Sequence, residues 1–392
     1  MIFKIPFSGR SHHYTFDEKN AVLEAMDIAD PLTQGKYRNK FEKKFCDYFK
    51  SEYSFAVNNA TAALEMAAQL CQFKKNHELI APSHTFTASV YPFIKKGAKI
   101  IWADIDGDSH IVTAETIEKC INPNTRAILV VHLYGYMANM EEIMELAKKY
   151  NLIVIEDVAQ AIGTEINGKY SGTFGDFGIF SFHSHKNMTT LGEGGMLSVK
   201  DELYAKIIPM LRHNGHCDFD FDKPNYWTPA MSNVDLPELN GEYLIPNNYC
   251  LGEIECALGI KMLDRVDAMN DEKRSRAIKF IDRLKDNFEL KFHRVNNRRH
   301  NYHLLVAQMM NDQRDIFIHK MANEKSIQCI VQYYPLNRYA FYKKLGFGNA
   351  KCPITDEYFD YMVSFPFHHW LSNEDYEYML KSTIEVLEEL KK

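Results

Sequence analysis

Between residues 54 and 200, short apolar runs alternate with segments of helical periodicity. The runs AILVV and LIVIE are almost continuously apolar, which is typical of strands buried on both faces of a sheet. Strands that alternate with helices imply crossover connections and a mainly parallel sheet that helices cover on both faces. We therefore predict an α/β domain. Its predicted strands are Ser54–Val57, Glu78–Ala81, Lys99–Ala103, Ala127–Val131, Leu152–Glu156, Gly178–Phe182 and Met196–Val199, and its helices include Thr61–Gln72 and Met140–Tyr150.

The alternation stops after residue 216. Residues 217–248 contain four prolines and many aromatic residues without helical periodicity, so we predict a long ordered loop. A single helix over about residues 251–269 should follow, and a helix capped by Ser372 should close the chain. We expect a large domain over residues 1–265 and a smaller α+β domain over residues 266–392.

Composition excludes several classes of protein. A net charge of -6 argues against a broad basic surface for nucleic acid. No apolar run is long enough to span a membrane, and the N-terminus becomes polar too early for a signal peptide. Eight scattered cysteines without a CxxC pair are typical of reduced thiols. We expect a cytoplasmic protein with no nucleic-acid or membrane partner.

The most informative stretch for chemistry is Gly172–Val199. It places Lys186 between two predicted strands, next to His183 and His185 and just before the turn Gly192–Gly195. A lysine in a loop is more often a solvated cation than a catalyst. Its role therefore depends on what other segments bring to it.

Two polar residues follow the apolar strand that ends near residue 156. Asp157 lies at its carboxyl end, where open α/β sheets bind ligands. A carboxylate there can hold the pyridine nitrogen of pyridoxal phosphate protonated. Gln160 lies about one helical turn further on and can reach the O3′ atom of the ring. A helix N-cap is the alternative role for Asp157.

Two more segments offer a phosphate site and a stacking ring. Ala60 and Thr61 begin an alanine-rich helix, whose free N–H groups can receive a phosphate. Phe86 follows a predicted strand and can stack on a flat ring. Taken alone, the first segment is equally consistent with a capped helix start, and the second with a core aromatic.

Together these segments resemble the DegT/DnrJ/StrS family of sugar aminotransferases. The resemblance implies the type I fold of pyridoxal-phosphate-dependent transferases, with a mostly parallel seven-stranded sheet in a large domain and a small C-terminal α+β domain. The matching segments are DPLTQGKYRNKFEKKF, NNATAAL, PSHTFTAS, HLYG, IEDVAQAIG, GDFGIFSFHSHKN, GEGGM, NNYCLGEIECALG, YHLLV and QYYPLNR.

The resemblance also implies roles for individual residues. Lys186 would form the Schiff base with the cofactor and move the proton between Cα and C4′. Asp157 would hold the pyridine nitrogen, Gln160 would contact O3′, and Phe86 would cover one ring face. The phosphate would be bound by Ala60, Thr61 and Ser181, and by Asn248 of the neighbouring subunit. This last role implies a homodimer with two shared active sites.

One branch of the family has histidine in place of the lysine and removes a hydroxyl group instead. His185 precedes Lys186, so a shift of one residue would change the predicted class. The following Asn187 and the spacing to the GEGG turn favour Lys186 as the match.

The chain departs from the family at Cys250, where many relatives have an arginine that can bind anionic substrate groups. The acceptor is therefore expected to bind differently. Candidate replacements are His183, His185, Arg212 with its neighbours up to His216, the cluster Arg298–His300, and Arg338. We expect no metal site, although His213 and His216 are close in sequence.

The leading hypothesis is a transaminase that moves an amino group from L-glutamate or glutamine to a sugar, for surface polysaccharide or lipopolysaccharide synthesis. A UDP-, GDP- or dTDP-linked 4-keto-6-deoxy sugar is the first choice of acceptor. The second is an unactivated acid sugar, such as 8-oxo-Kdo giving 8-amino-3,8-dideoxy-manno-octulosonate. A sugar-nucleotide dehydratase that uses the same cofactor and a non-enzymatic regulator are the other candidates. A nucleotide-dependent phosphotransferase is excluded because GEGGML lacks the Gly-Lys-Ser/Thr ending of a phosphate loop.

Overall fold

The computed structural model describes residues 2–221, 229, 231–286, 290–294, 299–310 and 312–391. The strands are β1 Tyr53–Val57, β2 Glu78–Pro82, β3 Lys99–Ala103, β4 Thr125–Val131, β5 Ile153–Asp157, β6 Glu165–Ile166, β7 Lys169–Tyr170, β8 Phe177–Ser181, β9 Gly195–Val199, β10 His216–Cys217, β11 Asn233–Val234, β12 Leu290–Lys291, β13 Leu305–Met309 and β14 Met362–Phe365. The α-helices are α1 Phe16–Ile28, α2 Lys36–Phe49, α3 Ala60–Leu70, α4 Tyr91–Lys95, α5 Ala114–Glu118, α6 Met140–Tyr150, α7 Glu202–Arg212, α8 Glu253–Leu263, α9 Val266–Leu284, α10 Arg314–Asn323, α11 Ala340–Lys344, α12 Pro353–Tyr361 and α13 Asn373–Leu390. Short 3-10 helices lie at Thr87–Ser89, Leu133–Gly135 and Leu336–Arg338.

Seven strands form the central sheet, in the order β1-β9-β8-β5-β4-β2-β3. Strand β9 is antiparallel to both of its neighbours, and the other pairs are parallel. The mostly parallel seven-stranded sheet expected from the sequence is confirmed. Each of the seven predicted strands lies within two residues of an observed one.

Helices cover both faces of this sheet, as buried apolar strands require. Helices α3, α6 and α7 belong to the core on one face. Helices α2 and α8 pack on the other, where Phe45 of α2 meets Phe180 of β8 edge to face at 4.9 Å. The two helical layers leave the ends of the strands as the place where ligands can enter.

The C-terminal region has its own core between α9, α10, α13 and the antiparallel sheet β12-β13-β14. Helix α13 begins after Ser372, whose hydroxyl caps it by accepting from the N–H of Asp375 at 3.0 Å. Ile5 also packs in this core, and its carbonyl accepts from the N–H of Gln328 at 2.9 Å. The first residues therefore bind the C-terminal region, and the domain boundary after residue 265 stays a prediction. No helix in the described part of the chain is long and apolar enough to cross a membrane.

The prediction of one helix over residues 251–269 was wrong. The chain forms α8 and α9 instead, and residues 264 and 265 separate them. At the break, Arg265 leaves the helical conformation and its guanidinium binds the buried carboxylate of Glu18, at 2.5 Å from Nε to Oε1. The apolar pattern was continuous enough to hide this turn.

The structure describes most of the predicted loop over residues 217–248. Residues 222–228 and 230 lie outside the described residues. The rest contains the short pair β10-β11 and contacts α3, where the side chain of Gln69 donates to the carbonyl of Ile245 at 2.9 Å. None of its described residues lines the cavity discussed below in the same subunit.

Candidate active site

A cavity of about 800 Å³ opens at the carboxyl ends of the parallel strands. This is where ligands bind in open α/β sheets, because the loops after neighbouring strands converge there. The predicted site residues that line this cavity are Ala60, Thr61, Phe86, Asp157, Gln160, Ser181, His183, His185 and Lys186.

Lys186 is held in the loop between β8 and β9 by its backbone. Its N–H donates to the carbonyl of His183 at 2.9 Å, and its carbonyl accepts from Nε2 of His12 at 2.9 Å. The pKa of Lys186 is lowered to about 8 because burial disfavours the ammonium form, and the charge of Asp157 opposes this shift only in part. A larger share of this amine is uncharged near neutral pH than in an exposed lysine, as a nucleophile requires.

The electrostatic surroundings also distinguish Lys186 from the preceding histidine. Asp157 acts on the pKa of Lys186, whereas the pKa of His185 is lowered by burial and by the charges of His183 and Lys186. The lysine, not the histidine, is thus coupled to the buried carboxylate. This agrees with the alignment on the GEGG turn.

Asp157 is buried at the end of β5 and accepts two hydrogen bonds. Its Oδ2 accepts from the hydroxyl of Ser89 at 2.7 Å, and its Oδ1 accepts from the N–H of Ala159 at 3.0 Å. The second bond is a local turn contact of the kind that an N-cap makes. Ser89, which the sequence did not single out, fixes the carboxylate from the neighbouring wall of the cavity.

Glu156 precedes Asp157 in β5 and binds this strand to the backbone of residues 172–175. The side chain is fully buried, and it accepts from the N–H groups of Gly172, Phe174 and Gly175 and from Nε2 of His132, at 2.7–3.0 Å. Because Nδ1 of His132 already accepts from a backbone N–H, its Nε2 must bear the proton. Burial raises the pKa of Glu156, but these hydrogen bonds outweigh it and the net shift is downward.

Gln160 connects the sheet to the C-terminal region. Its Oε1 accepts from the N–H of Tyr134 at 2.6 Å, and its Nε2 donates to the hydroxyl of Tyr333 at 2.5 Å. Burial raises the pKa of Tyr333 to about 12, so its hydroxyl remains protonated. The second N–H of the Gln160 amide stays available for a ligand in the cavity.

The start of α3 forms the anion-binding end of the cavity. Asn59 caps the helix by accepting from the N–H of Ala62 at 2.9 Å, while the N–H groups of Ala60 and Thr61 precede the first helical bonds. Ser181 at the end of β8 lines the same end. A Cβ on Gly195 would lie 2.7 Å from the nitrogen of Ala60, so only glycine lets β9 approach this closely. The capped helix and the phosphate site are therefore compatible.

These groups fit pyridoxal phosphate by their chemistry. The cavity combines an amine of lowered pKa, a buried carboxylate and a helix N-terminus suited to phosphate. Phe86 lies in the cavity wall with 56% of its surface exposed, so its ring is free to cover a flat ligand. The roles of the individual residues toward the cofactor remain predictions.

Two predicted substrate residues do not reach this cavity. Arg212 at the end of α7 is fully buried and donates to Glu42 at 2.5 Å and to the carbonyl of Ala56 at 2.6 Å. Arg338 forms ion pairs with Asp356 and Asp360 at 2.6 and 3.0 Å. The prediction that these arginines bind the acceptor finds no support within one subunit, because carboxylates elsewhere hold both guanidinium groups.

Asn248 also lies away from the cavity of its own subunit, beside His213. Its role in the neighbouring subunit therefore stays a prediction. Cys250 follows it, and its thiol contacts the carbonyl of Arg212 at 3.7 Å. The rings of His213 and His216 lie 4.6 Å apart, but the described residues include no group of three or more side chains suited to a metal. Arg298 lies outside the described residues.

The C-terminal region supplies a second wall that the sequence did not predict. It contributes His303, Leu304, Ile330, Gln332, Tyr333, Phe367 and His368 to the lining, and the N-terminal segment adds Phe7, Ser8 and Ser11. Only the family resemblance of YHLLV and QYYPLNR pointed toward two of these segments. No local motif marks their residues as ligands.

Known proteins share this architecture. A GDP-perosamine synthase from Escherichia coli O157:H7 is 31% identical, with 94% of this chain and 95% of that protein covered. A UDP-4-amino-4,6-dideoxy-N-acetyl-beta-L-altrosamine transaminase from Campylobacter jejuni is also 31% identical, with 97% and 98% covered. The structure of Helicobacter pylori PseC, an aminotransferase involved in the biosynthesis of pseudoaminic acid, superposes with a TM-score of 0.87 at 25% identity and covers 98% of this chain and 99% of its own.

The likeness to these proteins confirms the expected type I fold and the cofactor, pyridoxal phosphate. Residues 14–383 match one family over almost the whole chain. This protein belongs to the DegT/DnrJ/EryC1/StrS aminotransferase family.

Proposed function

We propose that this sugar aminotransferase moves an amino group from L-glutamate or glutamine to a nucleotide-linked keto sugar, with Lys186 as the reacting lysine. The single observation that supports this assignment is the pairing of Lys186 with Asp157 in one cavity. Burial lowers the pKa of the amine to about 8, and the buried carboxylate faces it. A dehydratase of this family would have histidine at the position of Lys186.

Each residue has a proposed role that follows from its position in the cavity. Pyridoxal phosphate, when bound, supplies the electron sink for a carbanion. Lys186 would hold the cofactor covalently and, once released as a free amine, would move the proton between Cα of the donor and C4′. Asp157, oriented by Ser89, would keep the pyridine nitrogen protonated.

Phe86, whose exposed ring lines the cavity, would cover one face of the bound cofactor and help to exclude water from it. The N-terminus of α3 would hold the phosphate through its free N–H groups. Asn248 of a second copy would complete this end, so we also propose a homodimer. All eight cysteines are free thiols, which agrees with the cytoplasmic location that the sequence predicts.

Two observations bear on the acceptor and favour different classes. The relatives from E. coli and C. jejuni are named for a GDP-linked and a UDP-linked amino sugar, which supports a nucleotide-linked acceptor. Among the described residues, however, no arginine lines the cavity of one subunit. The observation leaves an unactivated acid sugar, such as 8-oxo-Kdo, as the second candidate.

The test separates the two half-reactions. Protein loaded with pyridoxal phosphate is mixed with glutamate, and the loss of the visible band of the lysine-bound cofactor is followed. In the reverse direction of the second half-reaction, GDP-perosamine and the UDP-linked amino sugar are offered as amino donors. We expect glutamate and one of the two sugars to react, and Lys186→Ala protein to lose the band and the turnover. Repeated turnover by the Lys186→Ala protein would contradict the assignment.

Nucleotide binding provides an independent measurement of the acceptor class. A ligand at a hundred times its Kd stabilises the native state by about 2.7 kcal/mol, so binding of GDP, UDP or dTDP should raise the melting temperature measurably. A shift with one of the three supports the nucleotide-linked acceptor. If none of them shifts the melting temperature or inhibits the reaction, the acid sugar becomes the better candidate.

A further inference from the structure

A buried lysine without an ion-pair partner lies behind the reacting lysine. Lys273 of α9 is 5% exposed, and none of the ion pairs in the described part of the chain involves it. Its ammonium donates to the carbonyl of His303 at 2.8 Å and to Oδ1 of Asn187 at 3.2 Å, and burial lowers its pKa to about 7. Burying a cation that has no ion-pair partner is costly, so a lysine at this position is expected to have a structural or functional role.

These contacts fix the orientation of the Asn187 amide. The amine of Lys273 donates to the atom of Asn187 that faces it, so this atom is the oxygen. The amide nitrogen then donates to Oδ1 of Asn270 at 2.9 Å and to the carbonyl of Asn301 at 3.4 Å. In the opposite orientation, the amide oxygen of Asn187 would face the carbonyl of Asn301, which can only accept. The amide nitrogen would then face the donating amine of Lys273, so both hydrogen bonds would be lost.

The fixed amide in turn decides which nitrogen of His303 bears the proton. Nδ1 of His303 lies 3.2 Å from Oδ1 of Asn187, so it forms a hydrogen bond only when it is protonated. Burial, followed by the charges of Lys186, Lys273, His185 and His12, lowers the pKa of His303 well below its usual value. The ring is therefore neutral, and its Nε2 is left with a lone pair.

His303 lines the cavity, and its Nε2 has no hydrogen-bond partner among the described residues. A neutral imidazole nitrogen with a lone pair attracts hydroxyl and N–H groups and repels carboxylate and carbonyl oxygens. Lys186 lines the same cavity, and its charge acts on the His303 ring, so the ring lies near the reacting amine.

We propose that His303 is a specificity-determining residue whose Nε2 accepts a hydrogen bond from a hydroxyl group of the sugar, and that Lys273 is a positioning residue that sets this tautomer through Asn187. The proposal rests on the sugar-aminotransferase function proposed above. It names a neutral, hydroxylated part of the sugar as the ligand on this wall. A carboxylate at the same place would meet a lone pair and would be disfavoured.

A matched pair of substitutions tests the contact. His303→Asn keeps an N–H that reaches Asn187 but removes the acceptor at Nε2, whereas His303→Gln places an amide oxygen near the position of Nε2. The half-reaction of the cofactor-loaded enzyme is measured with GDP-perosamine and with the UDP-linked amino sugar. We expect kcat/KM for the reacting sugar to fall about tenfold in His303→Asn, the value of one neutral hydrogen bond, and to recover partly in His303→Gln.

The glutamate half-reaction of the same variants serves as the control. The glutamate rate should fall clearly less than the sugar rate, because the proposed contact is made to the sugar alone. Equal sugar rates in wild type and His303→Asn would overturn the proposal. Failure of glutamate to react in the wild type would overturn the proposed function instead, so the two failures are distinguishable.

The tautomer has a readout that does not depend on activity. In cofactor-loaded protein with ¹⁵N-labelled histidine, the signals lost in His303→Asn assign the His303 ring. The proposal requires a protonated Nδ1 and an unprotonated Nε2 in the wild type, and a shift toward the other tautomer in Lys273→Met. A wild-type ring protonated at Nε2 would overturn it. That spectrum is decisive even if Lys273→Met does not fold.

Discussion

Replacing Asp157 by asparagine separates the charge of this side chain from its shape. The amide has the same number of heavy atoms, and its oxygen can still accept from the N–H of Ala159. On the other side, the hydroxyl of Ser89 can rotate from donor to acceptor, because its remaining partner is the hydroxyl of Thr85 at 3.1 Å, which can either donate or accept. The fold should therefore keep both contacts.

The expected magnitudes differ sharply for stability and for rate. Two neutral hydrogen bonds replace two charge-assisted ones, so the free energy of unfolding should fall by about 1–2 kcal/mol. Loss of the charge would remove the group that, in our proposal, keeps the pyridine nitrogen protonated. Removing one preorganised electrostatic partner commonly costs about 2.7–4 kcal/mol of barrier, or roughly a hundred- to thousandfold in kcat.

The assay is single-turnover reaction with glutamate, followed by the visible band of the lysine-bound cofactor, beside urea unfolding of the same preparations. Ser89→Ala is the matched control, since it removes one orienting hydrogen bond and keeps the carboxylate. We expect a loss of about tenfold or less for the control, the value of one hydrogen bond. Near-normal rates in Asp157→Asn would show that the carboxylate does not face the pyridine nitrogen.

Three further predictions follow from named contacts. Glu156→Gln should lower the free energy of unfolding by about 3 kcal/mol or more, because its amide nitrogen would face two N–H donors, one of them from His132. Since the pKa of Glu156 is lowered from 4.5 on folding, this stability is present above about pH 4.5 and lost as pH falls further, so wild-type and variant denaturation curves should converge in acid. Folding lowers the pKa of Lys273 from 10.5 to about 7, so the unfolded chain binds more protons than the native protein between these pH values. The free energy of unfolding should therefore rise with pH across that range. This rise should be smaller in Lys273→Met, as urea unfolding at several pH values would reveal. Mixing inactive Lys186→Ala and Asn248→Ala subunits should restore activity if sites are shared, because each heterodimer contains one site with neither defect, and failure despite verified exchange would place Asn248 in its own subunit's site.

The parts of the site that the sequence predicted all lie at strand ends. Apolar runs located the strands within two residues, and parallel strands must end on the same edge of the sheet. Asp157, Ser181 and the start of α3 were therefore brought together by topology, before any side-chain contact was known. Lys186 was found because the glycine turn after it is visible in the sequence.

The two arginines show why the remaining contacts were not predictable. Arg212 follows the apolar residues Ile208 and Leu211 in α7, and the helix face that buries them takes Arg212 with it toward Glu42. Arg338 meets acidic partners that lie on α12, in a different element. A cation's availability depends on which carboxylate packs beside it, and a charge pattern in one segment does not contain that information.

The same reasoning explains why the proposed sugar contact became visible only in three dimensions. Lys273 lies in the run DEKRSR, which looks like a solvated helix face, yet α9 turns this position inward against His303 and Asn187. The three residues come from separate segments, and the C-terminal region must dock on the sheet before any of them interact. The positions of the groups proposed to hold the cofactor depend on the order of the strands in the sheet. The position of the wall proposed to face the sugar depends on how the C-terminal region packs against that sheet. Relatives with the same strand-end residues can therefore differ in the sugar they accept, because substitutions at the docking surface change the second wall and leave the strand ends unchanged.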